Sequence, residues 1–132
     1  MQNNTGSETI TEGIKVQVFP EYVPVQSNPE LNRFVFSYRV VITNEGDRWA
    51  KLLSRSWLII NADGDSQEVE GPGVVGFTPE LYPGESFEYA SSTPLDTSWG
   101  TMEGAYNLMR EDGEKFDAKI GRFYLVSAAV HA

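Results

Sequence analysis

Prolines and glycines interrupt the second half of this chain so often that no long helix fits there. Four turn-forming groups follow one another closely: Gly71-Pro-Gly73, Thr78-Pro79, Tyr82-Pro-Gly84 and Thr93-Pro94. Proline has no amide hydrogen to donate in a helix interior, and the residue before it disfavours helical backbone angles. The chain is therefore predicted to fold mainly into strands joined by turns.

Alternating apolar residues predict the strands themselves. Apolar side chains occupy every second position from Ile14 to Val18 and again from Phe34 to Ile42, and a third apolar run extends from Leu52 to Ile60. A period of two is typical of a strand with one buried face. The polar residues 1–13 show no such period. We predict a flexible N-terminal tail over residues 1–13 and a single domain over residues 14–132.

Two Asp-Gly pairs predict hairpins. Asp63-Gly64 and Asp112-Gly113 each separate strand-like runs, and this pair readily adopts the positive φ angles that tight turns between twisted strands require. In the last run, apolar residues change parity between Ile120 and Phe123. A β-bulge at Gly121-Arg122 would restore a continuous inward face.

The strand count indicates the fold class. Seven or eight predicted strands without a helix indicate an all-β fold, a two-sheet antiparallel β-sandwich, with a barrel as the alternative.

The charge balance excludes several kinds of partner. Nineteen acidic residues against ten basic ones give a formal net charge of -9, which disfavours binding to nucleic acid and to anionic lipid.

The chain has no cysteine, which fits a reducing compartment. The start lacks the features of a secretory signal, and no apolar run is long enough to span a membrane. We therefore expect a cytoplasmic protein without a membrane span.

One glycine motif resembles a phosphate-binding loop. Gly71, Gly73 and Gly76 match the G-x-G-x-x-G spacing of dinucleotide-binding loops. That loop functions at the N-terminus of a helix, whereas Pro79 follows closely here and Pro72 removes an amide. The alternative is a glycine-rich crossing between sheets. We keep Gly71, Gly73 and Gly76 as candidate ligand-binding residues.

Catalytic and metal-binding constellations are incomplete. Asn61, Asp63 and Asp65 have the spacing of calcium-loop ligands, but Ser66 replaces the glycine and Pro72 the closing glutamate. The only histidine, His131, lies at the C-terminal end, where a catalytic triad could not hold it rigidly. We expect no enzyme activity, no cofactor and no metal site. Weak binding of a divalent cation by acidic turns stays open as an alternative.

Protein binding is the favoured function. Trp49 and Trp99 lie beside turns and Arg39 projects from an apolar strand, which makes them candidate interface residues, although sandwich packing and cross-strand ion pairs are alternatives. Trp57, inside an apolar strand, is predicted to be a core residue. Free sheet edges can pair with a partner strand. We expect a protein partner or self-association, rather than a small-molecule ligand.

Several ordered blocks also resemble the ApaG family. They are Arg33-Phe-Val-Phe-Ser-Tyr-Arg-Val-Val-Ile-Thr-Asn-Glu-Gly46, Leu52-Leu-Ser-Arg-Ser-Trp57, Val69-Glu-Gly-Pro-Gly-Val-Val-Gly76, Pro83-Gly-Glu85, Gly100-Thr-Met-Glu-Gly104 with Tyr106, and Phe116. Gly121 departs from the pattern, since the family has a proline there.

The resemblance implies a fibronectin type III-like or immunoglobulin-like sandwich. Bacterial members of the family are associated with cobalt tolerance and magnesium efflux, without an established enzymatic activity. Related eukaryotic domains look like protein-interaction modules. The family's glycine motif falls on Gly71, Gly73 and Gly76. Binding of a nucleotide pyrophosphate by this loop, which the G-x-G-x-x-G spacing suggests, stays open as an alternative.

Overall fold

The computed structural model describes residues 5–127 and shows an all-β protein. Two three-residue 3₁₀ turns, Pro24–Gln26 and Pro29–Leu31, are the only helical segments in that range. The strands are β1 (Ser7–Thr11), β2 (Ile14–Tyr22), β3 (Phe34–Asn44), β4 (Ala50–Asn61), β5 (Ser66–Pro72), β6 (Glu80–Leu81), β7 (Ser86–Leu95), β8 (Trp99–Arg110) and β9 (Lys115–Val126).

The strands form two antiparallel sheets, which confirms the predicted sandwich. The first sheet has the order β1-β2-β3-β7, and the second has the order β5-β4-β8-β9, with the short β6 paired to the start of β4. The two predicted hairpins are the β4–β5 and β8–β9 connections, closed by turns at Gly64 and Gly113 with φ of 86° and 87°.

Two bulges keep the inward faces of the second sheet apolar. Between the pairs Met102–Phe123 and Gly104–Ile120, β9 contributes two residues where β8 contributes one. This confirms the bulge at Gly121-Arg122. A second bulge, which the sequence did not reveal, places Leu53 between the paired positions Leu52 and Ser54. After each extra residue, the side chains of its strand point to the opposite face of the sheet from the one that their previous alternation would give.

The core lies between the two inward faces. Trp57 is 5% exposed and packs on Tyr38, Tyr106 and Phe123, with ring centroids 5.5, 6.3 and 5.9 Å apart. The prediction of Trp57 as a core residue is therefore confirmed.

The prediction of a flexible N-terminal tail is wrong for Ser7–Thr11, because these residues form β1. This strand pairs with β2, and its side chains also hydrogen-bond to backbone groups of β9. Ser7 Oγ donates to Gly121 O at 2.8 Å, and Lys119 N donates to Thr11 Oγ1 at 3.2 Å. Short hydroxyl side chains supply these bonds to the backbone, so the strand carries little of the apolar alternation that would predict it. β1 thus seals one side of the sandwich.

Candidate functional site

The opposite side of the sandwich is not sealed. β5 and β7 are the outermost strands of their sheets there, and no further strand among residues 5–127 pairs with their outer edges. The turn formed by residues 73–77 lies at one end of this region. We call β5, β7, this turn and the gap between them the open side. An unpaired strand edge presents free N–H and C=O groups to other chains.

A groove of about 600 Å³ lies at the other end of the open side. Ile59 from β4 and Leu95 from β7 contribute buried apolar surface to it. Arg33, Asn61 and Asp96 supply polar groups, and Asn61 Nδ2 donates to Asp96 Oδ1 at 2.9 Å. The groove thus combines apolar surface with both hydrogen-bond donors and acceptors.

Residues 74–77 form a tight two-residue turn. Val74 N donates to Phe77 O and Phe77 N to Val74 O, both at 2.8 Å, while φ is 42° at Val75 and 87° at Gly76. A β-branched residue rarely adopts positive φ. The turn buries Val74 but exposes 49% of Val75 and 60% of Phe77. Phe77 lies 6.0 Å from the Phe87 ring of β7, measured between ring centroids.

The structure accounts for the glycine spacing through this turn. At Gly73, φ is 59° and a Cβ would overlap the Phe77 carbonyl, and at Gly76 positive φ alone favours glycine. At Gly71, a Cβ would lie 3.0 Å from Nη2 of Arg55, so the missing side chain makes room for a guanidinium. No helix follows, as the prolines predicted. The three glycines shape a turn and accommodate an arginine.

The amides of this loop are largely occupied within the protein. Gly73 N donates to Leu53 O at 2.8 Å, and the Val74 and Phe77 amides close the turn. Nη1 of Arg55 donates to the carbonyls of Pro72 and Gly73, at 2.9 and 2.8 Å. A phosphate-binding loop needs several converging free amides. The loop instead presents carbonyl groups to Arg55.

Arg55 lies beside a cluster of tyrosines between the sheets. Tyr89 and Tyr106 share a hydrogen bond of 2.5 Å between their hydroxyls. Burial raises the pKa of both hydroxyls, and it also raises the pKa of Tyr38. The positive charge of Arg55 opposes the rise in all three, so its guanidinium lies within electrostatic reach of the cluster. The sequence places Arg55 within the third apolar run but gives no signal of its role.

The three predicted interface residues do not form one surface. Arg39 lies on the outer face of the first sheet, 3.1 Å from Glu88 and over the Phe19 ring at 4.4 Å. Trp49 is half-buried and its Nε1 donates to Glu80 at 3.3 Å. Trp99 is 46% exposed and pairs with Val126 in the second sheet. Their interface role stays a prediction.

The acidic β4–β5 turn is stabilised internally. Asn61 Oδ1 accepts hydrogen bonds from the amides of Asp63 and Asp65, both at 2.9 Å, which is an arrangement typical of turns. Within residues 5–127, no group of three His, Cys, Asp or Glu side chains has the arrangement of a metal site. His131 lies outside the described residues.

Comparison with known proteins shows the family. The family model described as the ApaG domain matches residues 24–110. Protein ApaG of Azotobacter vinelandii is 54% identical over 119 residues, which cover 89% of this chain and 94% of that protein. The chain belongs to the ApaG family. Protein ApaG of Dechloromonas aromatica is 46% identical over 121 residues, which cover 92% of this chain and 95% of that protein.

Solved structures agree with this assignment. A Bordetella pertussis protein assigned as ApaA matches this ApaG-family chain with a TM-score of 0.84 and 47% identity, covering 86% of this chain and 92% of that one. The C-terminal domain of wzt matches with a TM-score of 0.54 and 14% identity, over 97% of this chain and 81% of that domain, which shows a shared fold alone.

Among residues 5–127, no helix has the length and apolarity to cross a membrane.

The strained turn at Val75 yields a stability prediction. We expect Val75→Asn to stabilise the protein by about 1 kcal/mol, because asparagine adopts positive φ at lower cost than a β-branched residue. Urea denaturation should show a higher midpoint with an unchanged slope. Val126→Asn is the matched control, since Val126 is also exposed, at 41%, but has no positive φ. Equal shifts in both variants would contradict the strain.

Proposed function

We propose that this ApaG-family protein is a non-enzymatic binding module that takes up an extended segment of a partner protein along the edge of β7. The unpaired ten-residue edge of β7 carries this proposal. In this mode of recognition, backbone hydrogen bonds supply affinity and alternate side chains supply specificity.

The orientation of the backbone groups on β7 follows from one bond and one proline. Asn44 N donates to Glu85 O immediately before β7, and bonded and non-bonded pairs alternate from there along an antiparallel ladder. Pro94, which has no N–H to give to β3, falls at a non-bonded position. Glu88, Ala90 and Ser92 therefore direct their N–H and C=O groups away from β3, toward a strand that could be added.

The two free edges differ in their protection. β5 has only seven residues, carries Glu68 and Glu70, and ends in Gly71 and Pro72. Charges, prolines and short length are the features that prevent pairing at exposed edges. β7 contains one charged residue, Glu88, whose carboxylate is 3.1 Å from Arg39, and one proline, Pro94, which lies next to the last residue of the strand. The neutral run from Ala90 to Thr93 leaves β7 as the edge competent for strand addition.

Proline scanning of the two edges tests the proposal. Ser92→Pro removes a free N–H from β7 without removing a bond to β3, so we expect peptide binding to weaken at least about tenfold while the thermal midpoint changes little. Ser66→Pro makes the same change at a non-bonded position of β5, and should leave binding intact. Ligands come from a displayed library of random peptides long enough to cover β7, and synthetic copies of enriched peptides are measured by calorimetry.

Nuclear magnetic resonance identifies where those peptides bind. The expected result is that the amide signals of Glu88, Ala90 and Ser92 shift most. No enrichment over a library passage without protein, or equal binding by both proline variants, would overturn the proposal. A second copy of this chain pairing edge to edge through β7 is the other possible occupant, and sedimentation of the protein alone would reveal it as a dimer that Ser92→Pro dissociates.

The physiological role is part of the same proposal. A contribution to cobalt tolerance and magnesium efflux, which family membership suggests, is exerted in the cytoplasm through the partner protein. In a strain lacking this protein, Ser66→Pro should restore cobalt tolerance and Ser92→Pro should fail to restore it. Restoration by both variants would separate the cobalt phenotype from β7.

A further inference from the structure

Arg55 is half-buried and has no carboxylate partner among residues 5–127. Three other arginines differ in this respect: Arg39, Arg48 and Arg122 lie 3.1, 2.7 and 2.6 Å from carboxylates. Arg33 and Arg110 also lack a carboxylate partner in that range, but Nη1 and Nη2 of Arg110 both donate to backbone carbonyls and its guanidinium lies over the Phe116 ring. Arg55 instead combines partial burial with unused donors, and a desolvated charge is normally paired.

The donors of Arg55 are divided between two directions. Nη1 donates to the carbonyls of Pro72 and Gly73, which fixes the plane of the guanidinium against Gly71. Nε and Nη2 donate to no group among residues 5–127. Every buried side-chain nitrogen in that range has a hydrogen-bond partner, so neither of these two nitrogens is buried. Both nitrogens therefore contact solvent. Together they form the side-on fork of the guanidinium, which binds a carboxylate with two parallel hydrogen bonds.

Arg55 lies at the open side. Its strand neighbour in β5 is Gly71, and its charge acts on Tyr89, an inward-facing residue of β7. A strand added to β7 would send alternate side chains inward, into the gap between the sheets where the guanidinium lies.

We infer that the free fork of Arg55 binds an aspartate or glutamate side chain of the segment that docks on β7. This inference rests on the proposed function and names the chemistry of the partner: an extended segment with an acidic side chain at one fixed inward position. A single guanidinium matches one monoanionic carboxylate. The polar groups nearest to it in the cluster are neutral hydroxyls, so a doubly charged phosphate would lack a second cation.

Peptide selection tests this inference. Among library peptides that bind the wild-type protein, an acidic residue should be enriched at a single register position. Changing that residue to its amide in a synthetic peptide should raise Kd at least about tenfold, since the pair consists of two charge-assisted hydrogen bonds. Against Arg55→Gln, the acidic and amide peptides should bind equally. Arg122→Gln changes an exposed arginine of β9 that pairs with Glu103, away from β7, and should leave the tenfold preference unchanged.

A measurement on the wild-type protein avoids any effect of Arg55→Gln on the turn. The Nε–H resonance of Arg55 should shift when the acidic peptide is added and stay in place with the amide peptide. If peptides bind on β7, as shown by their loss in Ser92→Pro, but lack an acidic preference, this inference is overturned and the docking on β7 stands. If binding is unaffected by Ser92→Pro, both fall.

Discussion

Replacing Gly104 by alanine is expected to destabilise the protein by more than about 3 kcal/mol, at or beyond the upper end of the usual cost of overpacking. Gly104 lies in β8 opposite Trp57 of β4, next to the β9 bulge. A Cβ there would overlap the Ser56 carbonyl and lie 3.2 Å from Trp57 Cα. Both neighbours are backbone atoms of a central strand, so no side-chain rotation can relieve the overlap. The two strands would have to separate.

Gly64→Ala is the control for this prediction. Gly64 has φ of 86°, but a Cβ would meet no atom within 4 Å, so the change should cost only about 1 kcal/mol of backbone strain. Far-UV circular dichroism reports whether the sheets form, and urea denaturation gives the difference in unfolding free energy. A cost at Gly104 no greater than the cost at Gly64 would contradict close approach of the β4 and β8 backbones.

Trp57→Ala should lower the unfolding free energy by about 3–5 kcal/mol, the usual range for truncating a buried tryptophan. Its indole is nearly perpendicular to the rings of Tyr106 and Phe123, with interplanar angles of 81° and 86°. Edge-to-face pairs of this kind add to the free energy of area burial. The variant leaves a cavity whose walls come from both sheets, so collapse of one side cannot fill it.

Trp99→Ala provides the matched comparison. Trp99 is 46% exposed, on the outer face of the second sheet, so its truncation should cost less than about 1 kcal/mol. Thermal unfolding followed by circular dichroism avoids the loss of a fluorescent reporter in either variant. Costs of similar size for the two tryptophans would mean that Trp57 is not central to the core.

Much of the fold could be predicted from local patterns. Alternation located the long strands, the Asp-Gly pairs located two hairpins, and the change of parity in β9 located its bulge. In β4 the corresponding bulge at Leu53 lies within a run where apolar residues occupy both faces. No interruption of the alternation marks it, so only the pairing with β8 reveals the extra residue.

The candidate site could be predicted far less well. Its parts come from positions distant in the chain: Arg55 in β4, the turn at residues 73–77, and the edge of β7. The glycine spacing drew attention to the turn, but its meaning depended on the guanidinium that packs on Gly71. Which strands end as edges is a property of sheet order, and sheet order is set by contacts between strands far apart in sequence.

The sequence by itself determined that this protein is an antiparallel β-sandwich of the kind the ApaG blocks imply, because strand period, turn chemistry and proline positions are local properties of the chain. Only the tertiary structure decided that β1 seals the β9 side and that, within residues 5–127, no strand pairs with the outer edges of β5 and β7. The first outcome depends on hydrogen bonds between residues more than a hundred positions apart, such as Ser7 to Gly121, and the second depends on the order of the strands in the two sheets. The opening of one side of the sandwich, and the arginine fork beside it, therefore became visible only once the chain was folded.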